Sequence, residues 1–321
     1  VSVATDLRVV VLTYGSGGEH ERLLASLDGE GIALGQILLV HNPSHPGEHP
    51  SSAEGYEVIV ASHNLGYAAG MNLGIRRQLG RGCELLLLLT HDARLRPGGL
   101  RELLRAAEAN PEYGALGPVL LFSGTYDPFS YGGVTGAGGG VGHRKAEPPA
   151  ESGIAPCEWI DGGTMLLRAT ALERAGGFDE RFWSYCEDAD LCLRIARAGC
   201  GVGVVVGALA EQAPGGAKRP GPWAYLLTRN GLAYARRFAG ARGLLSGTAR
   251  ALRNASLELA RALARASGLR PGPAGERWAV AVGTVRGTVD FFRGRWGPPP
   301  RLPGAGDLRN VAAPGGGAEG G

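Results

Sequence analysis

Over its first 110 residues the chain alternates short apolar, β-branched runs with helical stretches, and no other feature narrows the fold as much. Arg8–Tyr14 (RVVVLTY), Gln36–Val40, Tyr56–Ala61 and Leu85–Leu89 read as strands; Glu19–Leu27, Gly70–Leu79 and Gly98–Ala109 read as helices. Parallel strands need a crossover long enough to hold a helix, so this spacing predicts a mostly parallel sheet covered on both faces. The expected fold class is α/β.

Residues 123–156 are rich in Gly and Pro and read as loops around one or two short strands. Within them GAGGGVG (136–142) has no strand leading in and no helix leading out, which argues against a dinucleotide-binding turn and for a flexible loop. Further helices are expected over 189–198, 221–238, 241–267 and 275–293. The chain then divides into an α/β domain (1–238), a basic helical extension (239–296) and a disordered Pro/Gly-rich tail (297–321).

Five cysteines with no C-x-x-C pair argue against a disulfide framework or a zinc site, and for a reducing, cytoplasmic setting. The longest apolar run, Leu85–Leu89, is too short to span a bilayer, and the N-terminal residues lack a signal-peptide pattern. Charge is unevenly spread. From Lys218 to Arg301 there are 16 basic and three acidic residues, although the whole chain carries only +3. An acidic body with a basic C-terminal third implies a surface that meets anionic partners. The basic residues lack the interleaved aromatics of a nucleic-acid module, so no nucleic-acid partner is expected.

Four blocks carry candidate chemistry. Ligands of parallel α/β sheets sit beyond the carboxyl ends of strands, which places Thr13, Tyr14 and His41-Asn42-Pro43-Ser44 at such an edge. Asn64-Leu65-Gly66-Tyr67-Ala68-Ala69-Gly70-Met71-Asn72 joins a strand to a helix whose N-terminus would favour a diphosphate. Thr90-His91-Asp92 follows a buried strand, where one carboxylate suits Mg²⁺ or Mn²⁺ completed by phosphates and water. Last come Trp159-Ile160-Asp161-Gly162-Gly163, Gly176-Gly177-Phe178-Asp179-Glu180 and Tyr185-Cys186-Glu187-Asp188-Ala189-Asp190. Clustered acids in a partly buried pocket raise one another's pKa and supply candidates for a general base. Each block alone has an ordinary structural explanation in turn chemistry, a helix cap or a solvated helix start.

Together, and in this order, the blocks resemble the family 2 glycosyltransferases of the GT-A fold, in particular their rhamnosyltransferase-like branch. The matching stretches are VVVLTY, LLVHNPS, NLGYAAGMNLGI, LLLLTHDARLRPGGL, WIDGGTMLLR, GGFDERFWSYCEDADLCLRIARAG and Tyr225…Arg229-Asn230. The resemblance implies an inverting, metal-dependent transfer of a sugar from a UDP- or dTDP-linked donor. The acceptor would be a hydroxyl on a glycan, a lipid-linked intermediate or a small natural product. It assigns Asp188 as base, and Asp92 to the metal and diphosphate. Thr13, Tyr14, His41, Asn64, Gly70, Asn72 and His91 would lie around the nucleotide-sugar. Trp159, Asp161, Gly162, Glu187, Arg229 and Asn230 would lie on the acceptor side. Closure would fall to loops near 123–145 or 210–222.

The chain departs from the family pattern in three places. His41 stands where an aspartate usually contacts the base, and Thr90-His91 precede the single carboxylate Asp92. Ala210–Ala217 lacks the histidine often found before Gly-Gly, leaving Glu211 or Gln212 as substitutes. These departures keep open a second class of function, a sugar-nucleotide-binding partner without turnover. On a helix turning about 100° per residue, Arg242, Arg250, Arg253, Arg261 and Arg265 share an arc of about 140°, with Leu244, Leu245, Leu252, Leu259 and Leu263 opposite and Leu257 as the exception. Such a helix would lie on an anionic membrane, with Trp278, Phe291, Phe292 and Trp296 deepening the contact, or pack on its own domain or in a homodimer.

Overall fold

The computed structural model describes residues 6–15, 18–51, 53–148, 153–212, 219–269 and 274–303. The strands are β1 (Leu7–Tyr14), β2 (Ile37–Asn42), β3 (Glu57–Val60), β4 (Leu85–Thr90), β5 (Ala93–Leu95), β6 (Tyr113–Phe122), β7 (Pro128–Ser130), β8 (Gly133–Thr135), β9 (Val141–His143), β10 (Ile154–Pro156), β11 (Thr164–Arg168) and β12 (Gly201–Gln212). The helices are α1 (Glu19–Gly29), α2 (Gly66–Leu79), α3 (Gly99–Ala109), α4 (Ala169–Ala175), α5 (Glu187–Arg197), α6 (Pro220–Ala266) and α7 (Ala274–Phe292).

The main sheet runs β10-β12-β6-β11-β4-β1-β2-β3, with β5 and β7 on its margins. Neighbours β3, β2, β1 and β4 are parallel, β11 is reversed between β4 and β6, and β6 is parallel to β12. The sheet is therefore mostly parallel, as the alternation predicts. The long strands β6 and β12, and the shorter β11, lie where the sequence suggests no strand. Gly114, Gly117 and Pro118 in β6, and Gly201, Gly203 and Gly207 in β12, mask their β character.

Alternate residues of each central strand feed two cores. Val10, Leu12, Leu38, Val40, Leu86 and Leu88 pack with Met71 and Ile75 of α2 and Leu191 and Ile195 of α5. Val9, Val11, Leu39, Leu87 and Leu89 pack with Leu23 and Leu27 of α1 and Leu100 and Leu103 of α3. Helix α2 reaches the sheet through glycine. A Cβ on Gly74 would stand 2.3 Å from Val10 Cγ1 and 3.1 Å from Val40 Cγ2. Overpacking here has no free side-chain end to absorb it, so Gly74→Ala is expected to cost about 1–3 kcal/mol; thermal unfolding followed by circular dichroism reads this as a lowered Tm.

GAGGGVG forms the turn of the β8–β9 hairpin and the start of β9, and is not a free loop. It is wedged on α6, where Gly139 leaves no room for a Cβ against Ala235 and Thr135 Oγ1 lies 2.9 Å from Tyr234 Oη. This seating removes residues 133–143 from any role as a mobile closing loop. Residues 213–218, the centre of the second proposed closing loop, lie outside the described residues.

Helix α6 breaks at Ala239 (φ −128°) and Gly240 (φ 60°, ψ −140°), a conformation open to glycine. The chain then doubles back: Gly243 and Gly247 lie against Ala235 and Leu232. Helix α7 returns along both arms, with Gly283 against Gly221, Gly287 against Tyr225 and Arg229, and Arg277 paired with Glu258. The expected disordered tail is corrected in its first part. Gly297 accepts from Arg229 at 2.7 Å, and Leu302 and Pro303 pack at Gly221. Residues 304–321 lie outside the described residues.

Candidate active site

Parallel register sets Thr13 beside His41 and Tyr14 beside Asn42 at the carboxyl edge of β1 and β2. Thr13 Oγ1 lies 2.9 Å from His41 Nδ1, both side chains are buried, and His41 Nε2 has no hydrogen-bond partner. Burial holds the His41 pKa below its usual value, and His49, His20 and His91 add to this while Glu48 opposes it. A neutral imidazole follows. One nitrogen can donate and the other accept, unlike the aspartate expected there, which only accepts.

Three N–H groups at the α2 N-terminus are turned to the protein itself and not to a diphosphate. Leu65 N–H donates to Asn42 Oδ1 at 3.2 Å, Gly66 N–H to Asn64 Oδ1 at 2.9 Å, and Ala68 N–H to the Trp183 carbonyl at 3.2 Å. Gly70 is packed on Leu12 and Asn42. Asn72 is buried and reaches away from the sheet edge: it accepts from Phe178 N–H and donates to the Phe178 carbonyl and to Glu180, all at 2.9 Å. The contacts of Asn64, Gly70 and Asn72 are therefore with other parts of the protein.

The acidic side is assembled from three segments. Strand β4 ends at Thr90, whose N–H donates to the Gly163 carbonyl at 3.1 Å, while His91 N–H donates to Leu12 at 3.0 Å. Asp92 follows in the turn, half-buried. Gly162 is pinched between two partners: its N–H donates to Asp188 Oδ2 at 3.1 Å and its carbonyl accepts from Tyr67 Oη at 2.6 Å. A Cβ on Gly162 would meet that Tyr67 oxygen at 2.8 Å. Asp161 accepts from Gly163 N–H at 2.8 Å and from Gln212, with His143 close by.

Asp188 opens α5, where the helix dipole and the N–H groups of Ala189 (2.7 Å) and Gly162 favour its carboxylate. Burial outweighs them and, with the Asp161 charge, pushes its pKa up to about 7. Asp161 is also raised, by burial against the opposing Gly163 hydrogen bond and His143, with the Asp92 charge adding to the rise. Glu187 is raised well above the carboxylate range by burial and by Asp188, and its Oε2 has no hydrogen-bond partner. Asp92, Asp161, Asp188 and Glu187 thus form one mutually repelling group.

The segment that presents α5 is strained. Trp183 (φ 63°), Tyr185 (φ 71°) and Cys186 (φ 68°) all occupy the left-handed region. Arg229 and Asn230 hold it. Asn230 Nδ2 donates to the carbonyls of Phe182 (2.8 Å), Ser184 (2.7 Å) and Tyr185 (2.9 Å), and Arg229 Nη2 to Phe182 (3.1 Å). Both side chains are fully enclosed. Expected on the acceptor side, they prove to be a clamp behind the α5 N-terminus. Asp190 and Asp179 extend the clamp by pairing with Arg237. Trp159 is likewise buried, packed edge-on to His143 at 4.9 Å between centroids.

Among the described residues no three His, Cys, Asp or Glu side chains form a ready-made metal site. Glu211 cannot stand in for the missing histidine, because Arg94 and Arg96 each hold it at 2.6 Å. Gln212 does face Asp161. A lone half-buried Asp92 beside Asp161 fits a Mg²⁺ or Mn²⁺ that takes few protein ligands and completes its shell with diphosphate and water. Gln212 is one of the two substitutes the sequence offers, whereas His143 carries no sequence signal, because it lies in a Gly-rich hairpin.

No family model matches the chain. It is 31% identical over 219 residues to N-acetylglucosaminyl-diphospho-decaprenol L-rhamnosyltransferase of Mycobacterium tuberculosis, covering 60% of this chain and 71% of that protein. It is 35% identical over 180 residues to the O-antigen biosynthesis protein RfbC of Myxococcus xanthus, covering 51% of this chain and 14% of that protein. A 61-residue stretch, 18% of this chain, is 41% identical to rhamnosyltransferase WbbL of Escherichia coli K12, of which it covers 23%. In structure the chain is similar to a mannosyltransferase of Pyrobaculum calidifontis in complex with GDP-Man and Mn²⁺, with a TM-score of 0.52, 15% identity, and 91% and 88% of the two chains covered. GalNAc-T7 with UDP, GalNAc and Mn²⁺ aligns at a TM-score of 0.52 and 11% identity over 64% of this chain and 43% of that one.

Proposed function

Because this chain belongs to the rhamnosyltransferase-like branch of the family 2, GT-A-fold glycosyltransferases, we propose that it moves a sugar from a UDP- or dTDP-linked donor to an acceptor hydroxyl by a single inverting displacement. The observation that carries this reading is Asp188: a carboxylate with a pKa of about 7, set at a helix N-terminus and hydrogen-bonded to Gly162 beside Asp161. A base poised near the working pH accepts a proton efficiently, and general-base catalysis typically contributes about 10²–10⁴-fold.

In this mechanism Asp188 takes the acceptor proton as the hydroxyl oxygen forms a bond to the anomeric carbon. The bond from that carbon to the diphosphate oxygen breaks on the opposite face, and the electron pair leaves with the nucleoside diphosphate. Thr13, Tyr14 and His41 flank the base, and Asp92 faces the diphosphate. A divalent cation held by Asp92 would supply charge neutralisation on the leaving group. Tyr67, its phenol raised well above the usual range chiefly by burial, stays protonated and fixes Gly162, so the Asp188 carboxylate keeps its aim. Relatives named for transfer of rhamnose support a deoxyhexose donor, and the M. tuberculosis relative's name points to a lipid-linked diphosphate acceptor as the first to try.

Calorimetric titration with UDP-, dTDP- and GDP-sugars, in Mn²⁺, Mg²⁺ or EDTA, tests the donor site. One UDP- or dTDP-sugar is expected to bind in the presence of cation, with affinity lowered about tenfold or more in EDTA and in Asp92→Ala. Binding that ignores both changes would remove Asp92 from the diphosphate site.

A further inference from the structure

The C-terminal helices are packed with their small residues inward and their large apolar residues outward. The second arm of α6 buries Gly243, Gly247, Ala251, Ala255 and Ala262, and α7 buries Ala279, Ala281, Gly283 and Gly287. Outside, Leu245, Leu252, Leu259 and Leu263 are 74%, 56%, 39% and 60% exposed. Their spacing of seven, seven and four residues places them on one helix face. Leu269 in the following turn is 80% exposed and Trp278 near the start of α7 is 49% exposed. The Arg277–Glu258 pair brings that end of α7 beside Leu259.

A bundle stabilised by water alone buries its leucines, because each gains about 1.5–3 kcal/mol from leaving water. Close small-residue seams with outward leucines are the pattern of helices whose outer face meets lipid. Yet no helix among the described residues is long and apolar enough to cross a membrane. Arginines explain why. Arg242 and Arg253 are exposed beside the leucine row, and no acid is paired with either among the described residues. An apolar stripe edged by cations belongs in the plane of an interface and not across it.

We propose that this face docks on an anionic lipid surface, the leucines entering the acyl boundary and the bordering arginines meeting anionic headgroups. Charge selects this occupant over a second copy of the chain. A two-fold contact through the same face would bring together two like-charged segments, each carrying 16 basic and three acidic residues from Lys218 to Arg301. Phe291 and Trp296 take no part: Phe291 is buried, and Trp296 stacks with Arg181 and Arg229. The inference does not depend on which sugar is moved.

The test is co-flotation of the full chain with extruded vesicles of phosphatidylcholine alone or containing about 30% phosphatidylglycerol. Wild type is expected to float with the anionic vesicles and about tenfold less with the neutral ones, with loss in high salt. The triple variant Leu252→Ser, Leu259→Ser, Leu263→Ser removes exposed side chains only, so it should fold, bind donor as wild type does, and stay at the bottom of the gradient. Arg242→Gln with Arg253→Gln should weaken flotation in the anionic vesicles alone. No flotation by folded wild type, or equal flotation by the triple variant, overturns the proposal. So does a wild-type dimer that the triple variant dissolves without any vesicle binding. Donor binding measured on the same samples separates this failure from failure of the catalytic reading.

Discussion

Asp188→Asn is expected to lower sugar transfer by about 10²–10⁴-fold while leaving donor affinity within about twofold of wild type. The reason is local. The amide has nearly the shape of the carboxylate but cannot take the acceptor proton, whereas the proposed donor site lies at the β1, β2 and β4 edge. The substitution also turns one N–H toward a backbone donor, since the two carboxylate oxygens accept from Gly162 and Ala189. A modest fall in Tm is therefore expected, and Asp188→Ala, which lacks that conflict, should lose the same activity. In wild type the base works only when ionised. With its pKa pushed up to about 7 by burial and Asp161, the transfer rate should fall as pH drops below about 7 and level off above it. Steady-state rates from pH 5 to 9 read this directly. A profile flat through pH 7 would mean that Asp188 is not the titrating base.

The second large effect is expected from Asn230→Ala, which touches neither donor nor acceptor. Three backbone carbonyls, of Phe182, Ser184 and Tyr185, lose a shared donor in the segment where Trp183, Tyr185 and Cys186 sit at positive φ. Unsatisfied buried acceptors each cost about 1–3 kcal/mol and strained backbone persists only while its surroundings hold it, so a total loss of about 2–4 kcal/mol is expected by chemical denaturation. Relaxation of this segment moves the α5 N-terminus and with it Asp188. At temperatures where the variant is folded, kcat should fall at least about tenfold with donor binding unchanged, since misplacing a reacting group by about 1 Å suffices. A lowered Tm with unaltered kcat would confine Asn230 to stability.

The two halves of the fold were unequally legible in the sequence. Strands β1, β2 and β4 announce themselves as unbroken apolar runs such as Val9–Leu12 and Leu85–Leu89, because a central strand buried on both faces has no polar side. Strands β6 and β12 are also largely buried but carry glycine where another segment of the chain comes close. A Cβ on Gly117 would stand 3.1 Å from Ile160, and one on Gly203 would stand 2.5 Å from Ile154. Close packing thus erased the propensity signal that would have revealed them. Helix α2 begins at Gly66 and not Gly70, since Gly66 at φ 79° lies directly against Trp183, a residue 117 positions away that no local pattern foretells.

The acidic group was legible as spelling, because Asp92, Asp161, Glu187 and Asp188 each follow a recognisable strand, turn or helix start. What was not legible was the direction each neighbour faces. Arg229 and Asn230 look from sequence like ligands of a site, yet they point back into protein. Glu211 looks like a spare metal ligand, yet two arginines consume it. Such assignments depend on tertiary partners far along the chain, and only the packed structure resolves them.

The most direct measurement on the central assignment is the stereochemistry of turnover. With the preferred nucleotide-sugar and water or a simple alcohol as acceptor, proton NMR during the first minutes distinguishes the anomer formed first. Product of inverted anomeric configuration, absent with Asp188→Ala, is the predicted result. Retained configuration, or an equal rate from Asp188→Ala, would contradict single displacement with Asp188 as base.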